Sequence, residues 1–183
     1  KDMVGTIKVG KLQAADGTSD TISIESGHTL YAPGHIIQQV NATDNGTANR
    51  AQQSTTSTSF AHMSNFDLAI TPKFSSSKIL YMGNFNIFGS NTTYTYIVIY
   101  RHIAGGTATY IPTQASNGHA AITQQTYMQV PIFFIDSPNT TNAVTYKVYL
   151  RSHDNGDTSY IGWLSGGSAN DNMTNMILME IAQ

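Results

Sequence analysis

Apolar and polar residues alternate in short runs along most of the chain, which is the pattern of half-buried β-strands. From position 35 onward, the strand-like runs span residues 35–40, 66–70, 78–88, 93–103, 107–111, 126–135, 143–152, 159–164 and 173–181. Gly105-Gly106 and Asn155-Gly156 are typical of hairpin turns between such runs. Pro131 interrupts one run, and because proline cannot donate a ladder hydrogen bond, it indicates an edge strand or a bulge. Short strands at this spacing predict an all-β fold, an antiparallel jelly-roll β-sandwich.

The final run differs from the others because apolar residues cover both of its faces. Met176, Ile177, Leu178 and Met179 are consecutive, whereas a strand with one solvated face would alternate. We expect this segment to be a strand in the middle of a sheet or one packed against another subunit.

Residues 1–34 differ from the rest of the chain. Their alternating runs are short, at residues 7–9 and 22–24, and they supply too little apolar surface for an independent core. The region is either a frayed N-terminal extension or a β neck in which several chains pool their strands, and residues 35–183 form the head domain. Within the head, the polar residues 41–59 are expected to form an exposed loop.

Charge is the unusual feature of the composition. Asp, Glu, Lys and Arg make up 11% of the 183 residues, less than half the share of about 25% in typical domains. Long solvent-facing helices need a charged outer stripe that this chain cannot supply. The net charge of −2 leaves no basic footprint for nucleic acid or a membrane surface. There is no cysteine and no apolar run of the roughly 18–20 residues that a membrane helix needs, so membrane insertion is not expected.

Catalytic and metal-binding patterns are weak. Ser152, His153 and Asp154 are adjacent, and because neighbours on a strand point to opposite faces, they cannot form a triad among themselves. Residues 154–157 resemble the start of a calcium loop but lack its distal bidentate glutamate, which favours a hairpin turn. A single histidine near a trimer axis would supply three ligands, but we predict neither a metal nor a cofactor. We therefore expect a protein that is not an enzyme.

The residues suited to glycan binding form a clearer pattern. Glycan sites combine aromatic rings, which face sugar C–H groups, with amides and carboxylates, which bind hydroxyls. Two clusters are candidates for a glycan or receptor site. The first is Asp154, Asn155, Asp157, Tyr160 and Trp163, and the second is Asn91, Tyr94, Tyr110 and Asn117. Trp163, the only tryptophan, is alternatively a core residue.

Five stretches of the chain carry a family resemblance. They are residues 5–12 (GTIKVGKL), 33–38 (PGHIIQ), 56–60 (TSTSF), 68–80 (LAITPKFSSSKIL) and 177–181 (ILMEI). Together they resemble fibre and appendage proteins of tailed bacteriophages, particularly marine phages, and the block at 68–80 is the most specific. The resemblance implies a homotrimer whose jelly-roll head is similar to tumour-necrosis-factor-like domains and is mounted on a fibre shaft.

These observations define the expected function. We expect a virion fibre or appendage head on the particle surface, joined to other virion proteins through its N-terminus, that attaches the particle to a host surface glycan. A purely structural virion decoration without receptor binding is the alternative, followed by a polysaccharide-degrading enzyme. If the chain is a trimer, its axial positions should be apolar, and the candidates are the terminal strand and the face of Tyr94, Tyr96 and Tyr100.

Overall fold

The computed structural model describes residues 32–43, 52–90, 94–111, 120–123, 127–162 and 174–183. The predicted neck lies outside these ranges except for its last three residues. In the described part, the chain forms β-strands and one short 3-10 turn at Ser64–Phe66, with no α-helix. The strands are β1 (Ile36–Thr43), β2 (Gln53–Thr55), β3 (Ala61–His62), β4 (Leu68–Ile70), β5 (Lys78–Gly89), β6 (Tyr94–Ile103), β7 (Thr109–Tyr110), β8 (Ala120–Thr123), β9 (Tyr127–Asp136), β10 (Val144–Ser152), β11 (Ser159–Ile161) and β12 (Asn175–Ile181). The all-β prediction is confirmed.

Strand β5 is the centre of the first sheet. Residues 78–84 of β5 pair with β12, which pairs with β1, while the far end of β5 pairs with β11, which pairs with β2. Residues 79–88 of β5 also pair with β9. Because β9 and β12 pair with the same residues of β5, they lie on its two edges. All of these pairings are antiparallel.

Strands β6 and β10 are the centre of the second sheet. They pair antiparallel from Thr95 opposite Ser152 to Ile103 opposite Val144. Strands β7 and β8 pair with the other edge of β6, and β3 and β4 pair with the other edge of β10. The two antiparallel sheets form a β-sandwich with the apolar core between them.

The structure confirms three predictions about single strands. The terminal strand β12 lies between β1 and β5, as its two apolar faces indicate. Strand β9, which contains Pro131, pairs with β5 alone among the described strands and is therefore an edge strand. The Gly105-Gly106 segment joins the paired strands β6 and β7.

Two other predictions are wrong. Asn155-Gly156 forms a turn in which Gly156 has φ +95°, but β10 before it belongs to the second sheet and β11 after it to the first. Turn residues specify a local change of direction and do not specify which strand pairs next. The exposed loop predicted over residues 41–59 also contains the end of β1 and the short strand β2, whose polar sequence carries no apolar signal.

The core forms where the inward positions of both sheets meet. Its largest buried side chains are Phe66, Ile79, Tyr81, Phe85, Ile87, Ile97, Ile99, Ile111, Tyr146, Leu150, Ile161 and Met176. Tyr81 stacks on Phe134 with ring centroids 4.7 Å apart and planes at 5°. Gly83 faces inward between the rings of Tyr81 and Phe85, which occupy the space that a larger side chain would need.

A polar cluster joins the two sheets inside this core. The buried Asp136 on β9 accepts hydrogen bonds from Arg101 Nη1 on β6 at 2.7 Å and from Tyr146 Oη on β10 at 2.8 Å. Burial raises the pKa of Tyr146 far above its usual 10.0, and the neighbouring Asp136 is the second cause of this rise. The phenol therefore stays protonated and keeps donating to Asp136.

A second buried carboxylate fixes β12 to the chain entering β5. Glu180 Oε1 accepts hydrogen bonds from the backbone N–H groups of Lys73 at 2.8 Å and Phe74 at 3.2 Å. Its Oε2 accepts from Gln38 Nε2 at 2.6 Å, and the same amide nitrogen donates to the carbonyl oxygen of Thr71. The segment after β4 is thus bound to the terminal strand.

Candidate functional site

The outer face of the second sheet is rich in tyrosine. Tyr94, Tyr96 and Tyr100 alternate along β6 with inward-facing residues. On β10, Arg151 lies opposite Tyr96, and paired residues in an antiparallel ladder share a face. Tyr149, two positions away from Arg151, faces the same way. We call Tyr94, Tyr96, Tyr100, Tyr149 and Arg151 the tyrosine face.

Arg151 lies over two aromatic rings. Its guanidinium carbon lies 3.9 Å from the ring centroid of Tyr96 and 5.3 Å from that of Phe60. Stacking on aromatic faces suits the planar guanidinium and keeps the positive charge attached to the surface. The cation is therefore held in place before any ligand arrives.

One end of the tyrosine face is formed by Tyr94 and the turn after β10. Tyr94 is 44% exposed, and its ring meets the ring of His153 edge-on at 5.6 Å and the ring of Tyr96 at 6.2 Å. His153 Nδ1 lies 2.8 Å from Asp154 Oδ1. An exposed ring, an imidazole and a carboxylate thus lie side by side.

The other end carries a charged group of residues around Tyr149. The His62 ring stacks on Tyr149 at 5.0 Å, and Tyr100 meets Tyr149 edge-on at 4.9 Å. Asp67 lies 2.8 Å from His62 Nε2 and 4.0 Å from Lys147 Nζ. Burial, followed by the charge of Asp67 and the neighbouring Tyr100, raises the pKa of Tyr149. Its hydroxyl stays protonated at neutral pH and can donate a hydrogen bond.

The structure separates the candidate residues. Tyr94 and Asp154 lie together through His153. Asn155 is exposed in the same turn, and Asp157 is half-buried after it. Tyr160 is on β11 in the first sheet, where its ring lies 5.8 Å from that of Phe88.

Four further candidates have no described side chain. Asn91, Asn117 and Trp163 lie outside the described residues, so neither the glycan-site nor the core interpretation of Trp163 is tested. The backbone of Tyr110 pairs with Tyr100 at the edge of the second sheet, which brings that strand beside the tyrosine face.

Residues that the sequence analysis did not select form much of this face. Tyr149, Arg151, His62 and Phe60 come from β10 and from the segment around β3. Alternation along β10 assigns Tyr149 and Arg151 to one face. The register that places Arg151 opposite Tyr96, however, is set by pairing between distant strands and has no local signal.

Ser152, His153 and Asp154 lie at the end of β10 and in the turn after it. Ser152 is buried whereas His153 and Asp154 are exposed, so these neighbours do not form a triad. Among the described residues, no group of three or more metal-ligating side chains occurs. The described part of the chain also has no helix with the length and hydropathy to cross a membrane.

Comparison with known proteins identifies no family. No protein-family model and no curated protein matches the sequence. Among solved structures, the fold is similar to that of the VP2 subviral particle of infectious bursal disease virus, with 12% identity and a TM-score of 0.47 over 88% of this chain and 41% of that chain. T=1 particles derived from the same virus give 12% identity and a TM-score of 0.46 over 88% of this chain and 40% of that one. The chain thus spans about two fifths of the length of these proteins, and likeness at this level carries no argument about function.

Proposed function

We propose that this chain is the head of a virion fibre or appendage, a homotrimer of jelly-roll type that attaches the particle to a host surface glycan. The observation that carries the proposal is the tyrosine face. It carries the exposed ring of Tyr94, the partly exposed Tyr100 and Tyr149, and the guanidinium of Arg151 over the largely buried ring of Tyr96. The resemblance to phage fibre proteins supports the location on the particle surface and the attachment to other virion proteins through the N-terminus.

The chemistry of the tyrosine face suits a sugar. Ring faces pack against the C–H groups of a pyranose, while hydroxyls and charged groups bind its hydroxyls. Arg151 is stacked on Tyr96 and His153 contacts Tyr94, so the groups are ordered without ligand and binding costs little side-chain entropy. The role is binding rather than catalysis.

The test uses the full chain on a glycan array and on whole host cells. Tyr94→Ala should weaken binding by about fivefold, since an aromatic contact contributes on the order of 1 kcal/mol. The matched control is Tyr127→Ala, because Tyr127 has a similar exposure of 40% but lies on the first sheet. Equal binding by the two variants would mean that the tyrosine face does not bind the glycan.

The alternatives give different results in the same experiments. A purely structural decoration would bind neither glycans nor cells, and labelled heads would lie away from the host-facing tip of the particle. A polysaccharide-degrading enzyme would release reducing sugar from the bound glycan and lose that activity on substitution of one carboxylate.

A further inference from the structure

The outer face of the first sheet is apolar across three neighbouring strands. Register places Phe133, Met82 and Ile177 in one row and Ile135, Leu80 and Met179 in the next. These six residues are called the apolar face. Each comes from an outward position, because the residues between them along the strands point into the core.

The most outward side chains of the apolar face are strongly exposed. Phe133 is 64% exposed and Ile135 is 57% exposed. Phe133, Met82 and Ile177 line a shallow cavity of about 130 Å³ together with Asn84 and Asn175. Edge strands usually carry charges or are covered, whereas β9 presents two large apolar side chains here.

The area of the apolar face matches one side of a protein interface. If a fully exposed large side chain presents roughly 150–250 Å², the apolar face and the neighbouring Ile36 and Ile181 present on the order of 500 Å². A standard interface buries about 800 Å² per partner. About 65% of that area is apolar in homodimers. The apolar face thus accounts for the apolar part of such an interface, and Gln39, Asn41 and Gln129 lie at its rim.

Charge indicates which partner fits. Among the described outward positions of β1, β5, β9 and β12, Lys78 alone is charged, and it lies at the end of β5. Glu180 on the same sheet points inward and is buried. A strongly charged partner finds no complementary group on this surface. A second copy brings the same neutral surface and no repulsion.

We propose that the apolar face binds a second copy of this chain. This inference specifies the subunit contact of the oligomer named in the proposed function, and it does not depend on glycan binding. The sequence left two candidates for the surface at the trimer axis, the terminal strand and the face of Tyr94, Tyr96 and Tyr100, and this proposal selects the terminal strand. The tyrosine face carries Arg151, and Lys147 lies beside it on the same side of β10. Copies meeting there at an axis would bring these like charges together, whereas the apolar face buries no charge.

The absence of cysteine from the sequence allows a single-site test on the full chain. In Ile135→Cys, the alkylation rate of the thiol is measured across a wide range of protein concentrations. It should slow by about tenfold on going from dilute to concentrated protein, because only dissociated chains expose the site. Tyr94→Cys, on the tyrosine face, is the matched control and should react at one rate throughout.

Sedimentation of the full chain provides a second, independent measurement. The wild type should sediment well above the monomer mass of 19.8 kDa. Phe133→Asp should shift the mass to monomer with the circular dichroism spectrum retained, while Tyr94→Asp should not.

Three outcomes would overturn the proposal. The first is a wild-type monomer at every concentration, and the second is an unchanged mass for Phe133→Asp. The third is protection of the thiol in Ile135→Cys in protein that sediments as a monomer, because the apolar face would then be covered within one chain. Loss of glycan binding with an intact oligomer counts against the proposed function alone.

Discussion

Glu180→Gln tests whether the buried carboxylate holds the first sheet together. The substitution keeps the shape of the side chain and removes its charge. Three hydrogen bonds converge on the carboxylate, from Lys73 N, Phe74 N and Gln38 Nε2. A bond to a charged acceptor contributes about 1.5–3 kcal/mol and a neutral one about 0.5–1.5 kcal/mol, so each bond loses about 1 kcal/mol. The new amide nitrogen also faces a donor, Gln38 Nε2.

The expected loss is therefore about 2–3 kcal/mol, after allowing for the lower cost of burying a neutral group. For a chain of this size, that lowers Tm by roughly 5–10 °C. Urea unfolding followed by circular dichroism measures the change at one fixed protein concentration, with m unchanged. Asp154→Asn, at an exposed carboxylate, is the control and should change stability by less than about 0.5 kcal/mol. If Glu180→Gln matches that control, Glu180 does not stabilise the fold.

Three further predictions concern the core. Gly83→Ala should destabilise by about 1–3 kcal/mol in urea unfolding, because the added Cβ would lie 2.5 Å from Phe85 Cε2; unchanged stability would mean that the ring moves aside freely. Asp136→Asn should lower the free energy of unfolding by about 2–3 kcal/mol in urea unfolding, because Arg101 loses its buried charge partner. A loss no larger than that of an exposed control would contradict this. Because the pKa of Tyr146 lies above its usual 10.0 in the folded chain, the unfolded chain alone loses this proton above about pH 10. The free energy of unfolding should then fall with rising pH, and the fall should be shallower in Tyr146→Phe. An equal slope in both proteins would assign the effect to other groups.

Local sequence predicted the strands far better than their partners. Alternation and the doubly apolar run at residues 176–179 depend on side-chain direction within one strand, and β12 forms as expected. The turn at Asn155-Gly156 also forms, but the next strand pairs with β5 rather than β10. Pairing depends on packing between distant segments, which no local window contains.

The candidate site shows the same division. Tyr94 could be selected from sequence because an exposed aromatic residue beside polar loops is a local feature. The contacts of Arg151 with Tyr96 and Phe60 join three separate segments, so these residues have no common signal along the chain. The exposure of Phe133 and Ile135 is likewise invisible in sequence, because alternation identifies two faces and does not reveal which one meets the core.

The position of β12 also sets the order in which the molecule can mature. β1 and β5 both pair with β12, and Ile36 lies opposite Ile181, so the contact joins distant parts of the chain. Such contacts form late and slowly. The apolar face takes Ile177 and Met179 from the same strand. During synthesis, a nascent chain that lacks β12 cannot display the complete apolar face, so the association proposed for this face would wait until each subunit has closed its first sheet.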